Sequence, residues 1–327
     1  MNDLCLLYYF MNKKERVRAA ISGKDVDYIP CGFWFHFPED QFFGDKAVKA
    51  HLDFYRKTDV DILKIMNEGL YELDIKIEKA SDWLKIRPMS LKSSFYQNEL
   101  DVVKNVLDRI GDQVYTLITV HGVYASAFHT FKHPDGRFAR NNMVETHIME
   151  NPEAVTQGLK TIAESLTAFA RECLCLGIDG IYYGALGGES YRSFSGELFE
   201  QVVKPNDLFV LNALKKEKGE VFVHICKDQV NFEPYAHYPG DVFNWAIYDN
   251  DLSFEQGRKF FKKTVLGGLD DRSGVMVDGT KEEIQDEVKK MISRFGKEGF
   301  ILGADCTLPT DIPIENICAA IEAARSM

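Results

Sequence analysis

The chain of 327 residues has no surplus of basic side chains: 39 lysines and arginines face 50 aspartates and glutamates, giving a formal charge of -11 and an isoelectric point near 5.3. That balance excludes the basic footprint by which proteins hold nucleic acid or anionic membrane surfaces. Long apolar runs are missing too. The opening stretch Leu4 to Met11 is too short to cross a bilayer, with no basic segment before it and no small-residue cleavage site after it. It reads as an extension, residues 1–10, ahead of one domain spanning 11–327. A disulfide framework is not expected either, because the seven cysteines (5, 31, 173, 175, 226, 306 and 318) are odd in number and follow no secretory leader. Free thiols and a reducing, cytoplasmic setting are expected. There is no internal repeat and no linker rich in proline, glycine or serine. What is present, 45% apolar and 27% charged residues, suits a globular protein with a sizeable core.

Short runs rich in valine, isoleucine, tyrosine and phenylalanine alternate with longer stretches of helical period, the pattern of a parallel α/β fold. Eight runs predict strands: Ile29–Phe35, Val60–Met66, Tyr115–His121, Ile178–Gly184, Val221–Cys226, Val242–Ile247, Thr264–Leu269 and Gly299–Gly303. Between them, Asn151 with Pro152 reads as a cap followed by a first-turn proline. Ser253 with Gln256 and Thr280 with Glu283 read as capping boxes. Residues 197–216 predict a helix interrupted near Pro205, and Leu70–Asn98 reads as an insertion after strand two. Eight strands with intervening helices favour a single-domain (β/α)8 TIM barrel over an open sheet.

Catalytic groups of such barrels sit at the C-terminal ends of the strands. There, FVHICKD places His224 and Cys226 two apart on an extended chain, hence on one face. Cys306, in ILGADCTLP, follows strand eight at the same end. Two thiolates and an imidazole suit zinc, which keeps a fourth position open when it is catalytic. Asp249, after strand six, could be a fourth, displaceable ligand or a polar loop residue. A zinc so held binds a thiol and keeps it as thiolate at neutral pH. The plainer alternative makes His224 and Cys226 core or rim residues and Cys306 an incidental small hydrophobe.

With KKERVRAAISGKDVDYIPCGFW at its start, HIC after strand five, GGLD after strand seven and FILGADCTLPTDIPIENI at its end, the chain resembles the uroporphyrinogen decarboxylase superfamily from about Met11 onward. Within it, the chain resembles the zinc-dependent, corrinoid-linked branch typified by methylcobalamin:coenzyme M methyltransferases. The resemblance implies His224, Cys226 and Cys306 as zinc ligands and transfer of a methyl group from a methylated corrinoid protein to a small thiol. The corrinoid would ride on that partner, since no DxHxxG sequence occurs here. Two departures stand out. Phe33 to Phe37 (FWFHF) replaces the arginine-rich segment with which porphyrinogen decarboxylases bind substrate carboxylates, and Lys227 stands where many relatives have glycine. The competing readings are a decarboxylase or lyase of the same superfamily and a non-catalytic metal- or corrinoid-binding protein.

His36, Glu68 and His121, near the ends of strands one to three, are candidates for proton transfer or substrate contact, each with a rim or loop role as its bland alternative. Asn67 ends strand two beside Glu68. Tyr182 and Tyr183 read as one inward and one outward packing residue. Gly187, Gly188 and Glu189 form a loop permitting close backbone approach, and Asp270 and Asp271 are positioned to line the site. Cys173 and Cys175, two apart on a helix, do not face each other, and Cys5, Cys31 and Cys318 read as structural.

Overall fold

A computed structural model describes residues 10–131, 143–189 and 194–327. Eight parallel strands close into a barrel in chain order: β1 (Cys31–Gly32), β2 (Ile62–Ile65), β3 (Tyr115–His121), β4 (Gly180–Ala185), β5 (Glu220–Ile225), β6 (Val242–Trp245), β7 (Thr264–Leu269) and β8 (Phe300–Ala304). The strands are buried almost throughout, because helices cover the outside and side chains pack the inside. This is the expected (β/α)8 barrel. β1 shrinks to two residues paired with β2 and β8, with an isolated bridge from Phe35 to Leu308 above it. None of the helices among the described residues is long and apolar enough to cross a membrane.

The helix signals convert into observed caps. Asn151 accepts from Ala154 N and Pro152 opens the 25-residue helix Pro152–Leu176. Ser253 and Thr280 each close a capping box, with Gln256 and Glu283. Two boundaries differ from the expectation. Ser93 caps a helix over Ser94–Ile110, so residues 94–98 belong to that helix and the insertion after β2 ends sooner. The interruption near Pro205 is a π-helical turn at Phe199–Val203, after which Pro205 opens the helix Lys204–Leu214. The proline has no N–H to give, so it suits a first turn.

The floor of the barrel is closed by the first helix, Lys13–Ile21, capped by Asn12 and Glu15. Arg16 pairs with Asp27 at 2.6 Å and with Asp61, ahead of β2, at 2.8 Å. Lys14 and Arg18 pair with Asp179, ahead of β4, and Thr264 at the foot of β7 donates to Ala20 O and Ile21 O. On the wall, Gly257 lets its helix lie against Trp245, where a Cβ would come within 2.0 Å of the indole. These contacts leave the opposite end, where the strands finish, free for chemistry.

Candidate metal centre

His224 is the fifth residue of β5, in register with Gly184 and Asn244 on its neighbours, and Cys226 lies just past the strand. Cys306 stands two residues beyond β8. Their ligand atoms fall within 4.8 Å of one another, and Cys306 Sγ is 3.3 Å from His224 Nε2. Tetrahedral zinc with bonds of about 2.0–2.3 Å needs donor separations of roughly 3.6–3.8 Å, which small side-chain adjustments reach. The two thiols behave as a pair. Hydrogen bonding from Cys226 and the nearby imidazole hold the Cys306 thiol well below its ordinary range, while the same hydrogen bond and burial push Cys226 well above it.

Neighbouring strands hold the three donors. The His224 ring stacks on Tyr182, with centroids 5.3 Å apart and planes 20° from parallel. The Tyr182 hydroxyl donates to Asn244 Oδ1 at 2.7 Å, and Asn244 Nδ2 donates to Leu266 O and Ala304 O. Asp305, adjacent to Cys306, accepts from the backbone N–H groups of Ile247, Tyr248 and Gly268. The exits of β6, β7 and β8 are thereby tied to one carboxylate. His224 Nδ1 is buried with no hydrogen bond, while Nε2 faces Cys306 Sγ, so a metal among the three side chains would take Nε2 in place of that hydrogen bond. A dry imidazole nitrogen and two converging sulfurs fit a thiophilic metal such as zinc.

The donors open into a cavity of about 580 Å³, large enough for a small molecule. His36, Asn67, His121 and Asp271 also line it. His36 Nδ1 is 2.7 Å from Glu68 Oε2, and Glu68 Oε1 accepts from Phe37 N. The imidazole is half exposed while the carboxylate is buried. His121 Nε2 is 3.1 Å from Asn67 O, and burial lowers its pKa to about 4, so the ring is neutral at physiological pH. Burial and the Cys306 charge raise Asp271 to about 6.

Asp249 is not brought to the cluster. Asp305 pins the backbone at Ile247 and Tyr248, and the loop then carries Asp249 outward to pair with Arg272 at 3.2 Å and to line a separate groove. Asp270 closes its own turn through Arg272 N and Ser273 N. Gly187 and Gly188 also stay off the cavity wall, bonded to Glu189 and to the Tyr235 hydroxyl. Cys173 is buried and Cys175 exposed on one helix, Cys31 is buried, and Cys5 lies outside the described residues. Tyr182 points in and Tyr183 out, where the latter's hydroxyl meets Asp207. The sequence reading overlooked Lys64 and Thr119, both lining the cavity. A lysine inside the apolar strand run DILKIM was the available signal.

The molecule is similar in structure to a methyltransferase from Methanosarcina mazei, at 16% identity and a TM-score of 0.72 over 97% of this chain and 98% of that one. It is also similar to a B12-independent methionine synthase from Shewanella in complex with selenomethionine, at 13% identity and a TM-score of 0.60 over 91% and 98%. At such identities the likeness concerns the fold. No curated protein sequence matches at a significant level. The uroporphyrinogen decarboxylase (URO-D) profile, by contrast, matches residues 12–327, from the cap of the floor helix to the last residue. With nearly the whole chain matched, this protein belongs to the uroporphyrinogen decarboxylase family.

Proposed function

We propose that the protein is a zinc-dependent methyltransferase that moves a methyl group from a methylated corrinoid protein to a small thiol such as coenzyme M or homocysteine. Its family membership supports an enzyme of methyl transfer or decarboxylation. The convergence of His224, Cys226 and Cys306 on an open cavity carries the choice between them. When bound, zinc supplies a Lewis-acidic centre that keeps an incoming thiol deprotonated at neutral pH. His36, held by Glu68 at the cavity rim, takes the thiol proton and passes it to solvent. Neutral His121, anchored on Asn67 O, contacts the acceptor without adding charge. The partner's methylated corrinoid would supply the methyl group to the thiolate sulfur and would keep the electron pair of its carbon–cobalt bond.

The test is elemental analysis of protein purified without added metal, beside Cys226→Ala and Cys306→Ala. Wild type should hold close to one zinc per chain, each variant should lose it, and wild type alone should demethylate free methylcobalamin in the presence of thiol. Metal-free wild type, or metal indifferent to both substitutions, overturns the reading. Carbon dioxide release without methyl transfer would replace it with decarboxylation.

A further inference from the structure

The cavity holds an amine that the reading above does not use. Lys64 occupies the third position of β2, in register with Leu117 of β3. It is 4% exposed, yet it lines the same cavity as His224 and the two cysteines. Its nitrogen lies 4.4 Å from the centre of the Trp34 ring and 4.2 Å from that of Tyr182. Among the described residues it makes no hydrogen bond and no ion pair. Thr119, in register with Tyr182, lines the same cavity and carries a buried hydroxyl that also has no partner.

A lysine in such a slot does not stay a permanent cation. The two ring faces offset part of the ammonium's lost hydration. Burial nevertheless dominates and lowers its pKa to about 7, against the opposing pull of Cys306, Glu68 and Cys226. Glu68 is bonded to His36 and Phe37 N, His121 is neutral, and Asp271 faces Arg272. No carboxylate therefore reaches the amine to hold a proton on it. At neutral pH about half of the molecules present an uncharged nitrogen lone pair to the cavity. Methionine or leucine would fill the same inward position without burying a polar group. A lysine kept there instead, desolvated and unpaired, has the two properties of an amine nucleophile.

We propose that Lys64 is a carbonyl-capturing nucleophile whose Nζ forms an imine with a small aliphatic aldehyde entering the cavity. The nitrogen lone pair attacks the carbonyl carbon, and the carbonyl π electrons move to oxygen, which gains a proton as the nitrogen gives one up. The carbinolamine then loses its hydroxyl. The nitrogen pair forms the C=N bond as the C–O bond breaks, and the oxygen leaves as water with the second amine proton. Amine and aldehyde thus become imine and water, with nothing oxidised or reduced. Thr119 offers a hydroxyl to the carbinolamine oxygen from the same wall. The Trp34 and Tyr182 faces beside the amine suit a short alkyl chain. This activity is separate from methyl transfer and needs no metal.

The test treats chelated wild type with propanal and sodium cyanoborohydride, which reduces each imine to a stable propylamine, and maps the adducts over time by mass spectrometry. At pH 7 Lys64 should be modified at least about tenfold faster than the exposed Lys46 and Lys76. An ordinary lysine, with its pKa near 10.4, is neutral at that pH in fewer than about one molecule in a thousand. The lower basicity of Lys64 and its narrower access give back only part of that advantage. With fluorodinitrobenzene as a second amine reagent, the Lys64 rate should level off above about pH 8 while Lys46 and Lys76 continue to climb. Lys64→Arg, which keeps a cation and loses the nucleophile, should show no fast propyl adduct at any residue. A Lys64 rate no greater than that of Lys46 and Lys76, a Lys64 rate still climbing at about pH 9, or a fast adduct persisting in Lys64→Arg overturns the proposal. Fast capture at Lys64 in a protein that purifies without zinc upholds it and sinks only the metal reading.

Discussion

Lys227 directly follows the His224 and Cys226 pair and takes a backbone φ of +86°. A side chain in that left-handed region costs about 1 kcal/mol that glycine does not incur. Lys227→Gly should therefore leave stability unchanged or raise it by up to about 1 kcal/mol, the relief being partly offset by the freer unfolded chain. Urea unfolding of chelated protein reads this without interference from metal binding, and a clear loss of stability would show that the lysine side chain contributes something more. The departure at Lys227 was visible in the sequence, as was the shared face of His224 and Cys226, because a two-residue repeat on a strand determines which side chains point the same way. Asp249 was not so readable: its position depends on two hydrogen bonds to Asp305, made across 58 and 57 residues of chain at Ile247 and Tyr248. Lys64 was missed for a different reason, since a charge within an apolar run reads as noise until the inward face of the strand is known.

Between elements, the helix Lys204–Leu214 is joined to the barrel by Asp207, whose carboxylate accepts from the hydroxyls of Tyr183 on β4 and Tyr238 ahead of β6. Burial raises that carboxyl to about 6 despite both hydroxyls. Its folded value thus lies above its unfolded one, so the stability it contributes is fully present below about pH 4 and is lost as pH rises through 6. Wild type should lose on the order of 2 kcal/mol across that window relative to Asp207→Asn, which cannot ionise. Parallel urea midpoints at pH 4.5 and 7.5 measure the difference, and equal pH slopes in the two proteins would refute it. Helix starts were legible at Asn151, Ser253 and Thr280 because a cap is a local bargain between a side chain and the next turn. The π turn at Phe199–Val203 was not, for it has no residue signature of its own and the proline that drew attention lies beyond it.

Across the whole molecule the two ends of the barrel do different work. The floor is held by buried ion pairs, and Arg16, with its side chain 4% exposed, satisfies Asp27 and a fully buried Asp61 together. Arg16→Met removes the ion-pair partner of both carboxylates, leaving them only neutral donors such as Tyr28 and Cys31 N, and should cost about 3 kcal/mol, seen in thermal or urea unfolding. Under the proposed function, zinc content per folded molecule should not change, because His224, Cys226 and Cys306 stand at the far end. The barrel itself was readable from eight apolar runs, since strands buried on both faces leave continuous hydrophobic stretches; only β1 shortened, where pairing with both β2 and β8 spans two residues. Closure also orders events in time. His224 and Cys306 are 82 residues apart in the chain, and β8 is the strand that seals the sheet against β1. A ribosome emits the imidazole and the first thiol long before the second, so the three-donor set is completed only by the strand that finishes the barrel. A truncated or half-made chain has two of the three side chains and an open sheet, so under the proposed function metal retention would report whether synthesis and closure reached their end.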